Sequence, residues 1–168
     1  MEEYMKRALE LAKNAADEGE VPVGAVIVQR KTGRIVGEGR NMRENARNAL
    51  AHAEIIAIDM ACRNLGGWRL PDCAMYVTLE PCPMCCGAII NSRIDQVIFG
   101  AYDLKSGSAA SVQRMFDLPY NYRPELIGGV MEQECAELLS EFFRKLRERG
   151  KKYKKSGTNY LKAEQGRK

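Results

Sequence analysis

The sequence predicts a three-layer α/β domain, in which a mixed β-sheet is covered by helices on both faces. Strand patterns alternate with helical patterns along the 168 residues. One strand, VPVGAVIV at 21–28, is apolar at nearly every position, as expected of a strand that is buried on both faces. A chain of this length fits a single domain with a real core.

The first half of the chain supplies a helix, a hairpin and a second helix. Apolar residues at helical spacing predict a surface helix over 3–17. The strand at 21–28, a turn at 30–33 and the apolar pair Ile35–Val36 predict a β-hairpin, which is why the sheet should be mixed. A polar loop then leads into a helix from residue 50 to about Asn64.

The second half continues the alternation. A strand is predicted at 74–79, and a helix begins within EPCPMCCGAII, where Pro83 suits the first turn. Short strands should begin at Asp95 and Glu125, with a short helical pattern at 112–116 between them. Apolar residues at helical spacing from Cys135 to Leu146 predict a long C-terminal helix. We expect one domain over 1–149 and a basic C-terminal tail over 150–168.

Charge is distributed unevenly along the chain. The overall net charge is +4, but residues 143–168 carry +9 and residues 1–142 carry −5. A basic tail suggests a polyanionic partner, although a solvated tail that aids solubility explains the same charges. No apolar run is long enough to cross a bilayer, and the acidic, amphipathic N-terminus does not resemble a secretory signal. We therefore expect a cytoplasmic protein with no membrane association.

The chain contains six cysteines, and in the reducing cytoplasm these are expected to serve as metal ligands or buried thiols rather than as disulfides. Three disulfides would match the even count, but no export signal supports them. Cys82, Cys85 and Cys86 lie within five residues, and this crowding favours metal ligation. The other three cysteines lie in apolar patterns and are expected to be buried core thiols: Cys62, Cys73 and Cys135.

Cys82 and Cys85 stand three apart at the start of a predicted helix, so their sulfurs share one face. The helix N-terminus favours their thiolates. His52 is the only histidine in the chain, and two thiolates with one imidazole suit Zn²⁺. Cys86 is a conceivable fourth ligand, but it points about 100° away from Cys85 and should face the core.

Three protein ligands are typical of a catalytic zinc site, which keeps one position open for water. Taken alone, His52 could simply stand at the exposed end of an apolar helix. Glu54, two residues later, gives the histidine a partner, because a carboxylate beside such a metal can take a proton from water. Residues two apart do not share a helix face, so His52 must lie at the very start of the helix.

His52-Ala53-Glu54 followed by Pro81-Cys82-Pro83-Met84-Cys85 resembles the signature of the zinc-dependent nucleoside and nucleobase deaminases. Along most of the chain, from about Tyr4 to Arg149, the sequence is similar to the bacterial tRNA-specific adenosine deaminase family. The matching segments are EVPVGAVIV, GEGRN, YVTLEPCPMC, SRIDQVIFGAYD and LLSEFFRKLR. The resemblance implies a cytidine-deaminase-like α/β/α sandwich.

The resemblance also implies an activity: zinc-dependent hydrolytic conversion of adenosine to inosine, with release of ammonia, at the wobble position of a tRNA anticodon loop. His52, Cys82 and Cys85 would hold the zinc, and Glu54 would be the catalytic proton shuttle. Substrate contacts are implied for Asn41 and Asp103, and a loop role explains each of them equally well. The family likeness further implies a homodimer whose pocket is completed near the interface.

Other residues have roles that the sequence leaves open. Arg40, Arg43 and Arg47 could hold phosphates that flank the target base. Phe142 and Phe143 could stack on RNA bases, but their helical spacing favours the core for at least one of them.

Two other functions share parts of this pattern. A deaminase of a free base or nucleoside would use the same zinc site, but removal of the residues after Gly150 should leave its activity unchanged. A zinc-stabilised RNA-binding module without catalysis would need neither Glu54 nor an open coordination position.

Overall fold

The computed structural model describes the backbone of residues 1–165 and the side chains of residues 1–149. A five-stranded sheet lies between two layers of helices, and the predicted three-layer fold is confirmed. The elements in chain order are α1 (Glu2–Asp17), β1 (Gly24–Gln29), β2 (Arg34–Arg40), α2 (Ala53–Leu65), β3 (Cys73–Leu79), α3 (Pro83–Ser92), β4 (Gln96–Ala101), a 3₁₀ turn (Met115–Asp117), β5 (Glu125–Ile127) and α4 (Glu132–Gln165).

The sheet is mixed, in the order β2-β1-β3-β4-β5. Strand β1 pairs antiparallel with both β2 and β3, which confirms the predicted hairpin. Strands β3, β4 and β5 are parallel. The segments that leave β3 and β4 therefore emerge at the same edge of the sheet, where ligand sites of such folds are usually built.

Both faces of the sheet are apolar and each is covered by two helices. Ala25 and Ile27 of β1 pack in the cluster formed with α2 and α3. Val26 and Val28 point the other way, into the cluster formed with α1 and α4. This alternation explains why the whole strand is hydrophobic, since successive side chains of a strand point to opposite faces.

Helix α2 lies unusually close to β2, because two glycines of the strand remove the side chains that would separate them. A Cβ atom on Gly39 would stand 2.1 Å from the carbonyl oxygen of Ala53, and one on Gly37 would stand 2.2 Å from that of Ala57. The helix backbone thus rests directly on the strand backbone. This contact fixes the N-terminus of α2, which carries His52 and Glu54.

Three predicted boundaries need correction. Strand β1 begins at Gly24 rather than residue 21, because the chain first turns around Pro22. Helix α2 begins at Ala53, with residues 50–52 in the preceding loop. The short helical pattern at 112–116 is a single 3₁₀ turn at Met115–Asp117.

In the part of the chain that the structure describes, no helix combines the length and the apolar character needed to span a membrane. The side chains of the basic tail, 150–168, lie outside the described residues. The prediction that this tail forms a separate basic segment therefore stays a prediction.

Candidate active site

Two helix N-termini meet at the edge of the sheet where β3 and β4 end. His52 is the N-cap residue of α2, and its carbonyl oxygen accepts the amide N–H of Ile56 at 3.1 Å. Cys82 is the N-cap residue of α3, and Cys85 lies in the first turn of that helix. The position of His52 at the very start of α2 agrees with the geometry that the H-x-E spacing requires.

The three predicted ligands converge. Nδ1 of His52 lies 3.8 Å from Sγ of Cys82 and 3.6 Å from Sγ of Cys85. The ligand atoms of the three residues all lie within 4.8 Å of one another. Two sulfurs and one imidazole nitrogen at this separation fit a Zn²⁺ ion, and a set of three protein ligands leaves one tetrahedral position for a further molecule.

The local electrostatics favour a thiolate at Cys82. A hydrogen bond from Cys85 lowers the pKa of Cys82 to about 4 against the opposing effect of burial, and His52 adds to the lowering. The pKa of Cys85 is raised in turn, because it shares a proton with Cys82 and is buried. The pKa of His52 is raised chiefly by its hydrogen bond with Cys82. Hydrogen bonds thus link the three side chains, and the thiolate favoured at Cys82 is the form of cysteine that binds a metal ion.

Glu54 is placed beside this cluster. Its side chain is only 4% exposed, and this burial is the main reason that the pKa of its carboxyl is raised. Its carboxylate also interacts with the thiol of Cys85. A carboxyl group with a raised pKa takes up a proton more readily than a free one, so Glu54 has the placement of a proton shuttle.

A cavity of about 600 Å³ opens above the cluster, which is the size of a typical small-ligand site. His52, Glu54 and Cys82 lie in its lining. One wall carries Val21, Val23, Asn41 and Arg43, the other Tyr102, Asp103, Leu104, Lys105 and Ser106, and Phe143 of α4 adds an apolar edge.

Asn41 is buried in the first wall and its amide is held in place. Nδ2 donates to the carbonyl oxygen of Val21 at 3.2 Å and to the carboxylate of Glu20 at 3.5 Å. Glu20 also accepts the backbone N–H groups of Glu44 and Asn45 at 3.2 and 2.7 Å. One buried carboxylate therefore orients Asn41 and also holds the loop that leads to His52.

Asp103 lies in the opposite wall, but its carboxylate is occupied within its own loop. One oxygen accepts the backbone N–H of Lys105 at 2.9 Å and that of Ser106 at 3.2 Å, and the other accepts the hydroxyl of Ser106. Burial would raise the pKa of Asp103, yet these hydrogen bonds and Lys105 lower it overall. Asp103 thus shapes its own loop at the cavity lining, and a direct contact with substrate stays a prediction.

The cysteine predictions are mostly confirmed. All six thiols are free. Cys86 faces the core, with its sulfur 3.5 Å from the carbonyl oxygen of Pro81, and Cys73 and Cys135 are buried. Cys62 is only half-buried: it packs against the core cluster, and its sulfur lies 3.7 Å from the carbonyl oxygen of Trp68.

The prediction that Phe142 or Phe143 lies in the core is wrong. Phe143 is 39% exposed and Phe142 is half-buried, and neither belongs to the described core clusters. Arg40 is paired with Glu18 at 2.8 Å and Arg43 lines the cavity, and a phosphate contact by Arg40, Arg43 or Arg47 stays a prediction.

Sequence reasoning missed two buried carboxylates, Glu20 and Glu80, which lie in or behind the two cavity walls. Each is an acidic residue directly beside an apolar strand segment, and this position is the signal that could have marked them.

The fold and the site define a deaminase, and a family model described as MafB19-like deaminase matches residues 1–147. A solved structure from a study of A-to-I editing by tRNA:A34 deaminases superposes with a TM-score of 0.79 at 41% identity, covering 83% of this chain and all of that one. The X-ray structure of a guanine deaminase from Bacillus subtilis superposes with a TM-score of 0.58 at 38% identity, covering 73% and 80% of the two chains.

The curated relatives narrow the class. The tRNA-specific adenosine deaminase of Bacillus subtilis is 46% identical over 154 residues, which is 91% of this chain and 94% of the relative. The chain belongs to the tRNA-specific adenosine deaminase family.

Proposed function

We propose that the protein converts adenosine to inosine at the wobble position of a tRNA anticodon loop, by zinc-dependent hydrolytic deamination. The observation that carries the proposal is the buried carboxylate of Glu54 beside the converging His52, Cys82 and Cys85 at the base of an open cavity. A purely structural metal site would be closed by a fourth ligand and would have no use for a buried acid.

His52, Cys82 and Cys85 would hold the zinc ion. Bound there, zinc supplies Lewis-acid chemistry and lowers the pKa of a water molecule towards neutrality. The lowered pKa of Cys82 supports this assignment, since a thiolate is the form of cysteine that binds metals.

Glu54 carries the proton transfers. The water that attacks C6 of adenine loses a proton, and Glu54 accepts it and delivers it to the ring nitrogen N1. The C6–N6 bond of the tetrahedral intermediate then breaks while the C6 hydroxyl becomes the carbonyl group of hypoxanthine, and the proton of that hydroxyl, passed through Glu54 to N6, lets N6 leave as ammonia. The burial of Glu54 raises the pKa of its carboxyl group, which favours uptake of the proton from the attacking water.

The cavity walls hold the extruded nucleoside. Nδ2 of Asn41 is committed to Val21 and Glu20, so Oδ1 is the atom that would accept a hydrogen bond from the substrate. The loop that contains Asp103 would enclose the other side. A base in a single-stranded loop is the easiest to extrude into such a pocket, because little pairing is lost.

Basic residues support a nucleic-acid substrate over a free base. Arg43 and Lys105 both line the cavity, where they could contact phosphates that flank the extruded nucleotide. The +9 charge of residues 143–168 adds to the attraction.

The proposal is tested with purified protein and an anticodon stem-loop that bears adenosine at the wobble position. Mass spectrometry should detect inosine, and Glu54→Ala should abolish its formation while the protein retains zinc. Free adenosine, cytidine and guanine are incubated in parallel. Turnover of a free base or nucleoside, with an inert stem-loop, would assign the same site to the small-molecule branch of the deaminases.

A homodimer in the cytoplasm, where tRNA is available, is part of the proposal. The likeness to the family supports a dimer. Light scattering on the purified protein measures the mass directly, and a value of 18.8 kDa would contradict the dimer.

A further inference from the structure

Glu80 is a buried carboxylate with no part in the chemistry proposed above. It follows β3 directly and is 2% exposed. Oε1 accepts the backbone N–H groups of Ala110 and Ser111 at 2.7 and 2.8 Å. Oε2 accepts the backbone N–H of Asp103 at 3.1 Å and also the hydroxyl of Ser111.

These four donors come from both ends of one loop, residues 102–111, whose first half, residues 102–106, lines the cavity. A carboxylate is costly to bury unless its oxygens are hydrogen-bonded, and here each oxygen accepts two donors. The first half of the loop contributes little apolar burial, since Leu104 is 83% exposed, whereas Ala109 in the second half is packed in the core. The carboxylate of Glu80 therefore joins the exposed first half of the loop, through Asp103, to the anchored second half.

Backbone hydrogen bonds of Glu80 and Pro81 connect this loop to Cys82, the next residue in the chain. The amide N–H of Glu80 donates to Ala101 at 2.8 Å, and the carbonyl oxygen of Pro81 accepts the N–H of Ser108 at 2.9 Å. Cys82 comes next. The segment that presents Cys82 and the loop that encloses the substrate are thus held to each other by Glu80 and Pro81.

Gly107 allows the loop to close onto the carboxylate. A Cβ atom at this position would stand 2.3 Å from Cδ of Glu80 and 2.5 Å from the carbonyl oxygen of Asp103. No other residue could occupy the position without displacing the carboxylate or the loop.

We propose that Glu80 is a positioning residue for the reaction, which fixes the loop 102–111 as the substrate-facing wall of the cavity in register with Cys82. The inference rests on the proposed function for its substrate, but the state of the loop can be measured independently of any substrate.

Glu80→Gln is the direct test, because it keeps the size of the side chain but replaces one acceptor oxygen by an NH₂ group. At least two donors of the loop would then lose their acceptor. In hydrogen–deuterium exchange, peptides covering 102–111 should exchange at least about tenfold faster, while peptides of α1 keep their rates. With the stem-loop, KM should rise about tenfold or more and kcat should change by less than about threefold, at unchanged zinc content.

Asp95→Asn is the matched control. Like Glu80, the carboxylate of Asp95 accepts a backbone N–H, from Asp72 at 2.9 Å, and a hydroxyl, that of Tyr122. Asp95 precedes β4, whereas the loop 102–111 follows that strand. This variant should leave loop exchange and KM unchanged. Gly107→Ala disturbs the same contact from the loop, because its Cβ atom would collide with the carboxylate of Glu80. It should reproduce the exchange and KM effects of Glu80→Gln, even if the latter folds poorly.

Unchanged loop exchange in both Glu80→Gln and Gly107→Ala would overturn the proposal, as would an equal effect of Asp95→Asn. If the wild-type protein forms no inosine from the stem-loop, the proposed function fails. The exchange experiment would still decide whether Glu80 holds the cavity wall.

Discussion

Cys85 and Cys86 are adjacent and fully buried, yet the structure gives them different surroundings. The sulfur of Cys85 faces His52 and Cys82, whereas Cys86 lies in the core cluster between α3 and the sheet. A helix turns by about 100° per residue, so neighbours must face different environments. Two neighbouring cysteines thus have different roles: Cys85 belongs to the proposed metal site and Cys86 to the core.

Cys85→Ala should therefore remove most of the bound zinc, because a site with two protein ligands is left. Cys86→Ala removes the same sulfur atom from the neighbouring position and should keep about one zinc per chain. The small cavity that it leaves should lower the free energy of unfolding by about 1 kcal/mol. Zinc content by elemental analysis and thermal unfolding measure the two effects. Equal zinc loss in both variants would show that Cys86 takes part in the metal site.

At the scale of elements, the placement of α2 on β2 decides where His52 and Glu54 stand. Gly39 lets the first turn of α2 touch the strand backbone. A helix displaced by about 1 Å at its N-terminus would misplace both residues, and a shift of that size can cost about 100-fold in rate.

Gly39→Ala should reduce stability by about 1–3 kcal/mol through overpacking, and it should lower kcat on the stem-loop by at least about tenfold. Gly67→Ala is the control, because a Cβ atom there meets nothing within 4 Å. Thermal unfolding and initial rates of inosine formation check the pair. A Gly39→Ala protein with wild-type rates would mean that α2 does not depend on this contact.

The elements themselves could be predicted, because each is encoded by a local period. The apolar run at 21–28 predicted a strand that is buried on both faces, and the H-x-E spacing predicted that His52 lies at the start of a helix. Glu20 and Glu80 could not be predicted in the same way. Their donors lie 21 to 31 residues away in the chain, and only the folded arrangement of loops shows that each carboxylate holds a segment of the cavity lining.

For the whole molecule, the separation of charge is the feature that distinguishes binding of RNA from binding of a free base. The body, residues 1–142, carries −5 and the segment 143–168 carries +9. A neutral nucleobase gains nothing from such a segment, whereas an RNA loop brings several phosphates within the same field. The dependence of affinity on salt therefore tests the function at the scale of the molecule.

Each phosphate contact that a basic residue makes contributes roughly 0.7–0.9 to the slope of log K against log salt concentration. Lys→Gln at positions 151, 152, 154 and 155 preserves the chain length and should lower this slope by at least about 1, with weaker binding of the stem-loop at physiological salt.

Four exposed basic residues of the body provide a control with the same change in charge: Lys6, Lys13, Lys31 and Arg34. Fluorescence anisotropy across a salt series compares the two variants. If both lower the slope equally, general attraction explains the effect, whereas a loss confined to the tail variant places phosphate contacts in the C-terminal segment.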